Sequence, residues 1–487
     1  MAATKTILVI DEEAELRDAL KGWLSADGWT ILEADNGEAG LELVQKHRPK
    51  VVICDLLMPR CNGYRFCRAV HEDEDLRDSV KIIISSSRGY AGDRLNAIQS
   101  GADEYLVKPF AQDELVNILI RLLEPEKSTF IKLWERLTTS AEPPSQSTAD
   151  LDKGETDAPV DKPSGGKRDD DGVARVRFWG VRGSTPTPGA STVHFGGNTS
   201  CVEVRAEGEI IVLDAGSGIR PLGLSLAREF GKEPIDLTLL ITHTHWDHIQ
   251  GFPFFLPAYN PRNHIKIRGF EGSTESLADI FEQQMRTPYF PITMQQMPSM
   301  PAVEEIQDLK FNIGAVEVVA AFMNHPGICV GYRLNTSSGS VAFMPDHEPY
   351  QRLRGAAADK AGRVTQESLS YARRQDEKLI DFVRDVDVLI IDSQYDDTEY
   401  QTKVGWGHGC LDDVVTLALM AGVKRLCLFH HDPDHDDDHV RRMEQWAKDL
   451  VAMHGDPVVV EAAREGVEIV LGQENAGESA PPGRAPE

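Results

Sequence analysis

The segment Leu239-Leu240-Ile241-Thr242-His243-Thr244-His245-Trp246-Asp247-His248 constrains this chain more than any other. An apolar run of strand character ends in three imidazoles and one carboxylate within six residues, at the start of a helical stretch. Nitrogen and oxygen donors packed this closely suit borderline divalent metals such as Zn²⁺. One segment cannot complete the shells of two metals, so further donors must arrive after other strands. They recur downstream: His325 in MNHPGICVGYRL, Asp346 in VAFMPDHEP and His430 in RLCLFHHDP, each after or near an apolar run. A carboxylate between two cations can bridge them, and cations roughly 3.5 Å apart can share an activated water.

A chain of 487 residues exceeds one ordinary core, so two or more domains are expected. The hydrophobic fraction of 41% suffices for globular cores. No stretch approaches the roughly 18 to 20 apolar residues of a membrane span. The start, MAATKTILVIDEE, lacks the basic region and small-residue cleavage site of a secretory signal. Seven cysteines without a CxxC pair fit a reducing compartment, so a cytoplasmic protein without membrane partners is expected. A formal charge of -27 disfavours long nucleic acids as partners.

From Lys5 to about Glu124, short β-branched runs (Ile7–Ile10, Val51–Ile53, Ile82–Ile84, Tyr105–Val107) alternate with helical periodicity. This predicts a doubly wound α/β domain over 1–124 with a parallel sheet. Residues 125–172 read as a helical extension followed by a disordered linker, because Pro, Ser, Gly and charge replace apolar residues there. A second globular region is expected over 173–472, and a disordered tail over 473–487. In doubly wound sheets, the loops after the strands build the site. Asp11 and Glu12, Asp55, Ser86 and Lys108 occupy such positions. An acidic cluster can hold Mg²⁺ while the Asp55 carboxylate attacks phosphorus; Lys108 and Ser86 would then pair with the acyl phosphate.

These residues, with the DLLMP-x(3)-G segment ending at Gly63 and the KPF triplet from Lys108, resemble the response-regulator receiver family over residues 4–124. The resemblance implies a (βα)5 domain phosphorylated on Asp55 by a histidine kinase or phosphotransfer protein. It also implies that Leu57 offers its carbonyl to Mg²⁺ and that Tyr105 is the switch aromatic. Glu12 departs from the family, which usually carries Asp there, and its extra methylene is expected to alter metal affinity. The acids Glu13 and Glu15 read as ordinary partners of a helix N-terminus.

The HxHxDH pattern followed by H, D and H resembles the metallo-β-lactamase superfamily over roughly 173–472. The resemblance implies an αββα sandwich with His243, His245 and His325 on one metal and Asp247, His248 and His430 on the other. Asp346 would bridge, Asp247 would also orient the nucleophile, and Asp214 would support the site from behind. The metals implied are zinc first, with manganese or iron as alternatives. The segments HPGICVGYR, GWGHG and AGVKRLCLFHH resemble the ribonuclease Z and phosphodiesterase branch, which makes His408 the candidate acid at the leaving group. His431 is left as a substrate contact or a ligand in place of His430. His347 has no assignment. His435 and His439, in DPDHDDDH, read as a solvated acidic loop. The Gly-rich segments around Ser184, Asn198 and Thr199 read as tight turns, and the run Met294–Met300 as a lid, a partner surface or ordinary packing.

The whole chain thus reads as a two-component signalling protein, possible as a homodimer, with a dinuclear-metal hydrolase as output. Small phosphodiesters or short nucleotides are the first substrate class. Thioester or lactone hydrolysis stays open, as does a metal-dependent sensor or scaffold working through phosphorylation-controlled contacts. A redox diiron protein is disfavoured, because related oxygen-reducing members carry Glu at the position of His245.

Overall fold

The computed structural model describes residues 5–26, 28–123, 172–361 and 365–472, and the chain divides into two compact units. The expected linker, except Gly172, and the expected tail lie outside the described residues.

In the N-terminal unit, strands β1 (Thr6–Ile10), β2 (Thr30–Ala34), β3 (Val51–Asp55), β4 (Lys81–Ser86) and β5 (Glu104–Val107) form a parallel sheet in the order β2-β1-β3-β4-β5. Helices α1 (Ala14–Ala26), α2 (Gly37–His47), α3 (Gly63–Glu72), α4 (Ala91–Gln99) and α5 (Gln112–Leu123) connect and follow them. Burial on both faces explains the uninterrupted apolar runs. Ile7, Val9, Ile53, Ile83 and Leu106 face one way, onto Leu20 and Leu24 of α1 and Leu115, Ile118 and Leu119 of α5. On the other face, Gly40 of α2 closes on Ile10 and Gly63 of α3 on Ile84, where a Cβ would collide.

The C-terminal unit carries two seven-stranded mixed sheets. The first runs β11 (Ala302–Glu305), β10 (His264–Gly269), β9 (Asp236–Leu240), β8 (Glu209–Leu213), β7 (Cys201–Ala206), β6 (Arg175–Gly180), β19 (Glu468–Val470). The second runs β12 (Lys310–Ile313), β13 (Val316–Phe322), β14 (Val330–Thr336), β15 (Gly339–Met344), β16 (Val388–Asp392), β17 (Arg425–Phe429), β18 (Val459–Ala462). The period-2 alternation of side chains divides each sheet between two cores. Val212, Leu237, Leu239 and Ile267 turn outward to the helix Ile219–Phe230 and the helix Leu277–Gln284. Ala342, Met344, Leu389, Ile391, Leu426 and Leu428 turn outward to helices Gln366–Phe382, Leu411–Ala421 and Asp437–His454. Between the sheets, Phe178 of β6 meets Phe429 of β17 at 6.3 Å between centroids. The Tyr332 hydroxyl of β14 donates to the Ile241 carbonyl beyond β9 (2.7 Å). The result is the expected αββα sandwich.

Met294 and Met297 lie in the outer core of the first sheet, so that part of the Met-rich run is ordinary packing; Met300 is exposed.

Candidate metal centre and phosphoacceptor site

Carboxyl ends of strands from both sheets deliver the C-terminal donors to one place. His243 follows β9, His325 follows β13, Asp346 follows β15 and His430 follows β17. Asp247 and His248 lie in the single helical turn Trp246–Ile249. Two donor groups result: His243, His245, His325 and Asp346, and Asp247, His248 and His430.

Asp346 stands between them. Its Oδ2 is 3.6 Å from His243 Nε2 and 3.6 Å from His325 Nε2, whereas its Oδ1 is 3.2 Å from His248 Nε2 and 3.3 Å from His430 Nε2. Asp247 Oδ2 lies 3.2 Å from both His248 Nε2 and His430 Nε2. Yet His243 Nε2, His248 Nε2 and Asp346 Oδ1 are buried without a hydrogen-bond partner. Buried polar atoms rarely stay unsatisfied. Donors that approach one another but aim past one another converge on common points, as ligands of cations do. The residues present therefore fit two divalent metals, the kind of binding this fold implies.

Three of the histidine donors are fixed from behind. Asp214, after β8, faces His248 Nδ1 at 2.7 Å and accepts from the Thr242 amide (2.9 Å) and the Ser200 hydroxyl (3.0 Å). His325 Nδ1 donates to the Gly407 carbonyl (2.8 Å), and His430 Nδ1 faces Gln394 Oε1 at 3.0 Å. Each contact turns the opposite nitrogen towards the centre. The Ser184 amide donates to Asp247 Oδ2 (2.7 Å), so the Gly-rich segment is a turn that also touches the site. Three non-glycine residues here hold positive φ: Asp214 (62°), His430 (60°) and Ser184 (60°). Such conformations cost about 1–3 kcal/mol each and concentrate at functional sites.

His408 is half-buried, with Nδ1 3.0 Å from Asp392 Oδ2 and 3.8 Å from Asp346 Oδ2. Burial would lower its pKa, but the Asp392 carboxylate and that hydrogen bond outweigh it and raise it to about 9. Burial likewise pushes His243 and His325 well below the usual range, with neighbouring imidazoles adding to it. Burial alone would raise Asp346, yet the surrounding histidines hold it well below ordinary carboxylates.

Two expectations change. His431 turns away from the donors: its Nε2 donates to the Ala463 carbonyl (2.9 Å) and its ring packs on Phe195, so the structure brings His430, not His431, to the centre. His435 is not solvated but 4% exposed, held against Glu399. Sequence reasoning also missed Asp392, Gln394 and the Ser184 amide. Asp392 ends the apolar run Val388–Ile391 much as Asp214 ends its own, a signal that was available.

In the N-terminal unit, Lys108 Nζ lies 2.6 Å from Asp11 Oδ2 and 3.0 Å from Asp55 Oδ2, all three groups buried. Burial raises Asp55 to about 7, opposed by Lys108 and aided by Asp11 and Glu12. Glu12 itself is exposed, and Leu57 is buried just beyond Asp55. The buried Ser86 Oγ accepts from the Arg88 amide (3.2 Å), and the buried Tyr105 hydroxyl donates to the Arg88 carbonyl (3.0 Å).

The family model of the response regulator receiver domain matches residues 7–120, and that of the beta-lactamase superfamily domain matches residues 210–365. The chain is a response-regulator receiver followed by a β-lactamase-superfamily domain. Among curated proteins, a probable transcriptional regulator ycf27 of Guillardia theta is 37% identical over 135 residues, 28% of this chain and 50% of that protein. Response regulator MprA of Mycobacterium sp. (strain KMS) is 33% identical over 124 residues, 25% of this chain and 53% of its own. The chain thus spans about half the length of the curated relatives it matches, and the matched part is receiver-sized. Among solved structures, the metallo-beta-lactamase fold protein YhfI from Bacillus subtilis aligns at 17% identity and TM-score 0.42, covering 62% of this chain and 100% of that one. A diphosphatase from the PhnP family aligns at 16% and 0.41, covering 61% and 97%. Among the described residues, no helix is long and apolar enough to cross a membrane.

Proposed function

We propose that the β-lactamase-superfamily domain hydrolyses phosphodiesters at a two-metal centre and that phosphorylation of Asp55 in the receiver sets its rate. The observation that carries the reading is Asp346, whose two oxygens face two different donor groups. When bound, two divalent cations supply an activated water and neutralise charge on the phosphoryl oxygens. His243, His245 and His325 would hold one, Asp247, His248 and His430 the other, with Asp346 shared. Asp247, fixed by the Ser184 amide, orients the incoming water. Asp392 holds the Nδ1 proton of His408, which leaves Nε2 as the position that hands a proton to the departing alkoxide. The exposed indoles of Trp246, next to His245 in the chain, and Trp406, two positions before His408, offer planar apolar surface to the organic arms of the ester.

In the receiver, Asp55 would take the phosphoryl group from a phosphodonor, whose bond to phosphorus breaks as the carboxylate attacks, and Lys108 would neutralise the new charge; Asp11, Glu12 and the Leu57 carbonyl would hold Mg²⁺. Ser86 and Tyr105 move with the modification as the switch pair.

Turnover of bis(p-nitrophenyl) phosphate by the metal-replete full chain, set against thioester and lactone substrates, tests the reading. Asp247→Ala is expected to lose at least about 100-fold in kcat. Preferred turnover of a carbonyl substrate, or turnover unaffected by Asp247→Ala, would overturn the phosphodiester assignment. Acetyl phosphate with Mg²⁺ should change the rate in wild type and leave Asp55→Asn unchanged; equal rates in modified and unmodified wild type would remove the receiver's control.

A further inference from the structure

We infer that Glu399, His435 and His439 form a separate site for a divalent cation of zinc type, which clips together the two segments that present His408 and His430. The three donor atoms lie within 4.8 Å of one another. His435 Nε2 is 2.8 Å and His439 Nε2 3.9 Å from the same carboxylate oxygen, Glu399 Oε1. These separations bracket the edge of about 3.4 Å expected for a tetrahedron with bonds of about 2.1 Å. The two imidazoles lie face to face, 3.7 Å between centroids and 8° between planes, so their Nε2 lone pairs run side by side, and the partly exposed His439 ring must tilt for both to meet one ion.

Other contacts leave this role open. Asp396 and Asp436 already serve as helix caps, accepting from the Thr398 and Glu399 amides and from the His439 amide respectively. Glu399 spends its other oxygen on the Asp396 amide, completing a capping box, and keeps Oε1 for the histidines. The His435 ring is enclosed while its Nδ1 has no hydrogen-bond partner. One hydrogen bond to a half-buried glutamate is a poor return for burying an imidazole; a metal bond at Nε2 offsets it. The acids at 432, 434, 436 and 438 favour a cation nearby.

The backbone is fixed before any ligand arrives. Arg182, fully buried, donates through Nη1 to the carbonyls of His435 (2.6 Å) and Asp432 (3.1 Å) and through Nε to that of Gly196 (2.8 Å). His435 and His439 belong to the loop and first helical turn that follow His430. Glu399 belongs to the helix Asp397–Lys403, which leads directly to Gly407 and His408. A cation here would tie the carrier of the candidate acid to the carrier of a metal ligand. With three protein donors it would take water as its fourth ligand.

The test counts metal. The full chain is stripped with chelator, reloaded with Zn²⁺, desalted and analysed by mass spectrometry for bound zinc, alongside Glu399→Gln and His439→Ala. His439 is partly exposed, so its replacement leaves the fold intact, which circular dichroism checks. Each variant should hold one zinc fewer per chain than wild type, and the Co²⁺ wild-type-minus-variant spectrum should show the visible bands of a four-coordinate site. The combined His243→Ala/His248→Ala chain should retain one zinc that His439→Ala then removes, which separates this site from the dinuclear reading. Equal zinc content in wild type, Glu399→Gln and His439→Ala would overturn the inference.

Discussion

In the proposed reaction, His408 and Asp392 would carry the chemistry that the metal donors do not. With Nδ1 held by Asp392 at 3.0 Å, His408 would serve the leaving group rather than the incoming water. Its importance should therefore scale with how badly the leaving group needs a proton. His408→Gln is expected to lower kcat about 10²- to 10⁴-fold for alkyl phosphodiesters and to change p-nitrophenyl esters little, with KM nearly constant in both. Equal losses on the two substrates would remove the acid role. At this scale the sequence was legible wherever a donor directly followed an apolar run: His243, His430 and Asp55 stand at strand ends in one dimension as in three. It was opaque where function depends on a long-range contact. Gln394 looks like any loop amide until the fold brings His430, 36 positions away, within 3.0 Å. His435 looked solvated because its neighbours are acids, but Asp436 caps the helix that follows and Arg182 holds the loop inward.

At the level of elements, strands were easier to foresee than helix ends. Apolar runs marked β1, β3, β4 and β5, whereas β2, with Thr30 exposed and Glu33 among its residues, shows only two consecutive apolar positions, Ile31 and Leu32. Helix docking is set by distant caps that no local pattern shows. The half-buried Asp376, on the helix Gln366–Phe382, accepts from the amides of Tyr350 and Gln351 at the start of the helix Tyr350–Ala361. Burial dominates those two bonds and raises its pKa from 3.8 to about 6. A carboxyl raised on folding adds stability that is full below its unfolded value and is lost as pH climbs through the folded one, here between about pH 4 and pH 6. Asp376→Asn has no such proton. Relative to wild type it should gain on the order of 2 kcal/mol between pH 4 and pH 8, measured by urea unfolding at the two pH values. A constant difference would show that the two amides, not burial, decide the charge on Asp376.

Across the whole molecule, the receiver and the β-lactamase-superfamily domain have separate cores, and the proposed reading gives them separate ion requirements. Calorimetry of the full chain should therefore resolve two transitions. Chelator is expected to lower the one belonging to the C-terminal domain by ten degrees or more, since binding of a ligand at about 1,000 times its Kd contributes roughly 4 kcal/mol. The receiver transition should barely move until a phosphoryl donor and Mg²⁺ are added. A single transition, or equal shifts in both, would show that the units unfold as one. The two-unit division and the sandwich were foreseeable from alternating runs and from HxHxDH, but the pairing of the sheets was not, because it rests on contacts such as Phe178 with Phe429. Four of the seven donors follow a strand of one sheet and three follow strands of the other, so any cation they hold is also a rivet across the seam of the sandwich. A descendant that gave up hydrolysis would still need those ligands to stay closed. Its change of trade would be written first at His408, since Asp392 also accepts from the His347, Gln394 and Gly409 amides and would be kept for the fold.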